Sequence, residues 1–130
     1  MKKTILIVDD EKELCNILSD SLSQDHYRVL VAFDGKRALQ LVKEEKPDLI
    51  LLDIKMPRMN GIEVLKKIKK MKKEIVVIML TAYGTLETAR KAMKLGAYDY
   101  LTKPFDLFNL KSLVKEALGK VCKPVKKGKR

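Results

Sequence analysis

Five polar residues each follow an apolar run. Asp9 and Asp10 follow "TILIV", Asp53 follows "LILL", Thr81 follows "IVVIML", and Lys103, beside Thr102, follows "YDYL". Brought together, they would make an acidic pocket with one cation at its rim. Three clustered carboxylates repel, and one is forced to take up a proton unless a divalent cation relieves them. Oxygen ligands select magnesium or calcium rather than zinc. Magnesium binds through few carboxylates and keeps waters, which suits an open pocket and a phosphate. Facing such an ion, Asp53 is an anion at neutral pH, able to act as a nucleophile and form an acyl phosphate without a general base. Phosphoryl transfer asks mainly for positioning and charge neutralisation, which the ion, Lys103 and the Thr81 hydroxyl could supply. No Gly-rich nucleotide loop accompanies them, so bound ATP is not the expected donor.

Taken singly, each residue has a plainer reading. Asp10 could cap the first helix, with Glu13 at its third position. Asp53 could be a turn residue before "MPRMNG", Asp9 a loop acid, Thr81 a strand-end hydroxyl and Lys103 a solvated lysine. His26, the single histidine, falls on a turn and reads as surface. Coincidence at neighbouring strand ends is the argument for the pocket.

The elements that must position these residues alternate in type. Strands are predicted at 4–8, 28–32, 49–52, 75–80 and 98–101, each followed by an amphipathic helix. The inner helix positions are Leu14, Ile17, Leu18 and Leu22, then Ala38, Leu39 and Val42, then Leu65 and Ile68. Leu86, Ala89 and Met93 follow, then Leu110, Leu113, Val114 and Leu118. Asp34 is a predicted cap, Asn60 with Glu63 a predicted capping box, and Gly96 and Gly119 are helix stops. Cys15 reads as a small core residue. Strand–helix alternation with continuously apolar strands implies an α/β fold with a parallel sheet covered on both faces. The flavodoxin-like (βα)5 order 2-1-3-4-5 is expected, with ligands outside the carboxyl ends of the strands at the switch point between the first and third.

At 130 residues, 46% of them hydrophobic, the chain suits one domain. Residues 1–119 are read as that domain and 120–130 as a basic flexible tail. The net charge of +11 permits nucleic acid or an acidic partner without requiring either. Direct nucleic-acid binding is not expected: Lys66, Lys67, Lys69, Lys70, Lys72 and Lys73 cover more than one helix face and lack an aromatic platform. Two distant cysteines make no disulfide framework. No segment is long enough to cross a membrane, and a cytoplasmic location is expected. A flavin-binding relative would need a phosphate-cradling loop where "DDE" stands. A hydrolase with an aspartate nucleophile is a further rival.

In combination, "ILIVDDE", "DLILLDIKMPRMNGIEVL", "VIMLTAYG" and "AYDYLTKPF" resemble the receiver domain of two-component response regulators, over roughly residues 4 to 118. The resemblance implies that Asp53 accepts a phosphoryl group from a phosphohistidine on a sensor kinase or phosphotransfer protein. It implies that Asp9 and Asp10 bind Mg2+ (Mn2+ being a possible substitute), Asp10 more directly, with the Lys55 backbone carbonyl completing the ligands. Thr81 and Lys103 match the switch hydroxyl and the phosphate-pairing lysine, and Tyr100 the aromatic switch. The Lys103–Pro104 bond is expected to be cis. The surface of the fourth helix, fifth strand and fifth helix is expected to meet a downstream protein, as a monomer or a phosphorylation-dependent dimer. Lys55 and Tyr83 should border the pocket and tune dephosphorylation. Neither offers a carboxylate or amide to orient water, so a long-lived phosphoryl group is expected. A single-domain regulator is the first reading, and a receiver cut from a longer transcription regulator the alternative.

Overall fold

A computed structural model describes residues 2–56, 60–82 and 86–119, with Leu86 described in its backbone only. Tyr83 and the expected flexible tail at 120–130 lie outside the described residues. Ten elements alternate: β1 (Thr4–Val8), α1 (Lys12–Gln24), β2 (Arg28–Ala32), α2 (Gly35–Glu45), β3 (Leu49–Asp53), α3 (Gly61–Met71), β4 (Val76–Thr81), α4 (Leu86–Lys94), β5 (Asp99–Thr102) and α5 (Leu107–Gly119). The strands form one parallel sheet in the order β2-β1-β3-β4-β5, as expected.

Every residue of β1 and β3 is buried. Side chains alternate across the sheet. Leu6, Val8, Ile50, Leu52, Val77 and Met79 pack with α2, α3 and α4. Ile5, Ile7, Leu49, Leu51, Ile78 and Leu80 pack with α1 and α5. Helices on both faces explain why these strands are apolar throughout rather than at every second position. β2, at the edge, is only partly buried.

The helix ends follow local chemistry. Asp34 caps α2 by accepting from the Arg37 N–H at 2.8 Å. Asn60 caps α3 through the Ile62 N–H at 2.7 Å, one residue earlier than a capping box would use. Gly96, at φ +108°, takes the left-handed turn after α4 that a side chain would resist. Two expected core positions are on the surface instead. Ile17 is 53% exposed and Met93 38% exposed. In α1 the inward stripe is Cys15, Leu18 and Leu22, which turns Ile17 outward. In α4 it is Ala89 and Ala92, with Met93 beside them. β4 and β5 each begin one residue later than expected, which makes Thr81 and Thr102 their last members.

Candidate functional site

β1 and β3 are central neighbours, with Val8 level with Leu52. The next residue of each strand path is therefore an aspartate on the same edge. Asp9 is fully buried and Asp53 is 4% exposed, while Asp10 is exposed. One carboxylate oxygen from each of the three lies within 4.8 Å of the others. Thr81 is buried one position beyond Leu80, the residue level with Asp53. Its carbonyl accepts from the Lys103 N–H at 2.7 Å, which ties the end of β5 to the end of β4. Lys103–Pro104 is cis, as expected.

Lys103 reaches across the strand ends. Its Nζ lies 2.8 Å from Asp9 Oδ2, 3.3 Å from Glu11 Oε1 and 3.7 Å from Asp53 Oδ2. Burial pulls its ammonium down, but the Asp9 hydrogen bond and the Asp53, Asp9 and Glu11 charges outweigh this and leave it raised. Asp9 is well served: Oδ1 accepts from the Glu11 N–H at 3.0 Å and Oδ2 from Lys103. Asp53 is less so: among the described residues its Oδ1 accepts a long 3.3 Å bond from the Lys55 N–H. Burial, then the Asp9 charge, push the Asp53 carboxyl up to about 6 against the pull of Lys103 and that bond. The carboxylate that crowding drives toward a proton is thus Asp53 itself.

Several single-residue readings are settled by this geometry. Asp10 does not cap α1; Glu11 occupies the cap position, without a side-chain cap bond. Glu11 turns its carboxylate to Lys103 instead, a contact the sequence reading missed although "DDE" placed the residue next to the acidic pair. His26 is an exposed turn residue, as expected, with φ 68°. Cys15 is buried, as expected, and its thiol donates to the Asp9 carbonyl at 3.4 Å. Burial, then the Asp9 charge, push that thiol up to about 11, so it is no thiolate ligand. The donor set is oxygen only, and an all-carboxylate cluster of this size fits a hard divalent cation.

Backbone contacts tie the end of β3 to the start of α3. Gly61 N–H donates to the Ile54 carbonyl at 2.7 Å. A Cβ on Gly61 would lie 2.3 Å from the Asp53 carbonyl oxygen and 2.6 Å from Ile54 Cα, so only glycine lets α3 start here. Tyr100, 38% exposed, borders a shallow groove with Ala89, Arg90, Met93 and Lys94 on the outer side of α4 and β5.

The fold and this cluster define a class, and comparison with known proteins agrees. The family model described as response regulator receiver domain matches residues 5–115. Sporulation initiation phosphotransferase F of Bacillus subtilis is 41% identical over 118 residues, 91% of this chain and 95% of that one. The transcriptional regulatory protein ZraR of Escherichia coli is 45% identical over 114 residues, 88% of this chain but 26% of its own length. Among solved structures, a response regulator receiver domain protein (CheY-like) from Methanospirillum hungatei superposes with TM-score 0.89 at 34% identity, covering 91% of this chain and 94% of that one. The chain belongs to the response regulator receiver domain family. It is a signalling phosphoacceptor rather than an enzyme turning over a substrate. Receiver domains of this kind partner with histidine kinases or phosphotransferases. No helix among the described residues is long and apolar enough to cross a membrane.

Proposed function

We propose that Asp53 accepts a phosphoryl group from a phosphohistidine on a sensor kinase or histidine phosphotransfer protein, and that α4, β5 and α5 present the result to a downstream protein. The observation that carries this reading is the convergence of Asp9, Asp10 and Asp53 beside Lys103. Asp9, Asp10, Asp53 and the Lys55 backbone carbonyl would hold Mg2+, with Mn2+ as a substitute. When bound, the ion supplies positive charge to the carboxylates and to incoming phosphoryl oxygens.

The chain's own groups do the rest. Burial raises the Asp53 carboxyl to about 6, and beside a dication the ionised form, which attacks phosphorus, is favoured. One of its oxygens forms the P–O bond as the donor's P–N bond breaks. Lys103, 3.7 Å from that carboxylate, pairs with a phosphoryl oxygen. The Thr81 hydroxyl binds another. These groups assist both phosphorylation and dephosphorylation of the chain. Lys55 and Tyr83 border the pocket and tune dephosphorylation, and the lack of a water-orienting group on either gives a phosphoryl lifetime of minutes or more. Thr81 moves toward the phosphoryl group and Tyr100 fills the space it leaves, a population shift that requires the group to favour one state.

A cytoplasmic location suits a phosphohistidine donor. The match to about a quarter of ZraR favours a second reading, in which the receiver serves a longer DNA-binding transcription regulator. Addition of Mg2+ and beryllium fluoride tests the switch. Amide shifts at Thr81, Tyr100 and Lys103 in the wild type, absent in Asp53→Asn, are expected; shifts confined to the Asp53 loop would contradict it.

A further inference from the structure

The outer face of α3 carries cations that the Asp53 chemistry does not use. Lys66, Lys67 and Lys70 are exposed there, and Glu63 lies at one end. Lys69 behaves differently. Its Nζ donates to the carbonyls of Lys73 at 3.1 Å and Ile75 at 2.6 Å. Its methylene stem lies 3.3–3.6 Å from where a Cβ on Gly96 would sit. Burial lowers its ammonium, against the Glu74 charge. Lys69 and Leu95 supply the apolar part of the lining of a groove of about 700 Å³, which Lys66, Lys67, Lys70 and Glu63 also line.

Among the described residues, none of those three lysines forms an ion pair. Lys66 with Lys70, and Lys67 with Lys70, place like charges four and three residues apart, which destabilises a helix. Exposed as they are, they gain no packing in return. Glu63, four residues before Lys67, and the place of Lys70 in the last turn of α3 offset part of that repulsion, and what the three ammonium groups offer is charge for a partner of opposite sign.

We infer that this groove docks an acidic protein segment with an apolar anchor. Its carboxylates pair with Lys66, Lys67 and Lys70, and its anchor rests on Leu95 and the Lys69 stem. Nucleic acid fits this groove less well. Among the described residues no aromatic or arginine lines it, so bases find no platform or bidentate fork. The inference is independent of the phosphoacceptor reading.

Fluorescence anisotropy with the whole chain tests it. The probe is a labelled acidic peptide of about twelve residues, with one leucine set among glutamates at helical spacing. Binding is expected to weaken by about ten-fold or more from low to physiological salt. The combined change Lys66→Glu, Lys67→Glu, Lys70→Glu should weaken it at least as much, and the milder Lys→Gln triple should weaken it part-way. Lys36→Glu, Lys43→Glu, Lys115→Glu gives the same net charge on other faces and should bind as the wild type does. A peptide with serine for leucine should bind several-fold more weakly. Thermal melts by circular dichroism check that each variant folds. Equal loss in both Glu triples would assign the affinity to overall charge and overturn the inference. So would an absence of binding at low salt, or tighter binding of duplex DNA through the same three lysines.

Discussion

Lys103 is bonded to Asp9, at 2.8 Å, more closely than to Asp53, at 3.7 Å. The lysine thus satisfies the acid that is fully buried and leaves Asp53 short of compensation. Burial and the Asp9 charge therefore raise the Asp53 carboxyl against only a partial pull from Lys103, with consequences for stability as well as for chemistry.

Asp53 is predicted to destabilise the cation-free fold at neutral pH. Its folded carboxyl, at about 6, lies above the ordinary value of 3.8. Between those values the folded state binds more protons than the unfolded state, so stability falls as pH rises from about 4 to 6. Asp53→Asn removes this penalty. Urea unfolding without divalent ions should show the variant more stable at pH 7 by roughly 2–3 kcal/mol, with the gain shrinking toward pH 4. Millimolar Mg2+ should stabilise the wild type more than the variant.

Lys103→Met is predicted to be costly for a different reason. It leaves Asp9 buried without its cation, a loss of roughly 3–5 kcal/mol by analogy with other broken buried pairs. Because the Lys103 ammonium is raised, its contribution in the wild type should persist up to the ordinary lysine range and fall only above it. The double change Asp9→Asn with Lys103→Met should recover part of the loss, measured by the same unfolding experiment.

Asp10→Asn should behave in the opposite way. The side chain is exposed and caps nothing, so stability should change by less than about 0.5 kcal/mol. Mg2+ affinity by calorimetry should nevertheless drop by about ten-fold or more if Asp10 is a ligand.

Gly61→Ala tests the link between α3 and the Asp53 backbone. The added methyl would overlap the Asp53 carbonyl oxygen, and the backbone must shift to admit it. Destabilisation of roughly 1–3 kcal/mol is expected, together with slower phosphorylation by a small phosphodonor, read by intact mass.

Much of this was legible in the chain. Apolar strands of four to six residues alternating with helices carried the sheet order, and the polar residues that follow all of them but the second carried the convergence of Asp9, Asp53, Thr81 and Lys103. Helix caps were legible where one residue's chemistry decides, as at Asp34 and Gly96. Faces were harder. Ile17 and Met93 satisfy helical spacing, but Cys15 and Ala92 turned the stripes by a fraction of a turn, and nothing local marks which apolar residue wins. The Glu11 contact and the inward turn of Lys69 depend on where distant elements lie, at Lys103 and at Gly96, so spacing alone does not reveal them.

The most direct measurement of the central claim is intact mass after incubation with phosphoramidate and Mg2+. The wild type should gain the mass of one phosphoryl group, lose it in alkali, and gain nothing when EDTA replaces Mg2+. Asp53→Asn should gain nothing under the same conditions. An unchanged wild-type mass, or an equal gain in Asp53→Asn, would contradict the assignment of Asp53 as acceptor.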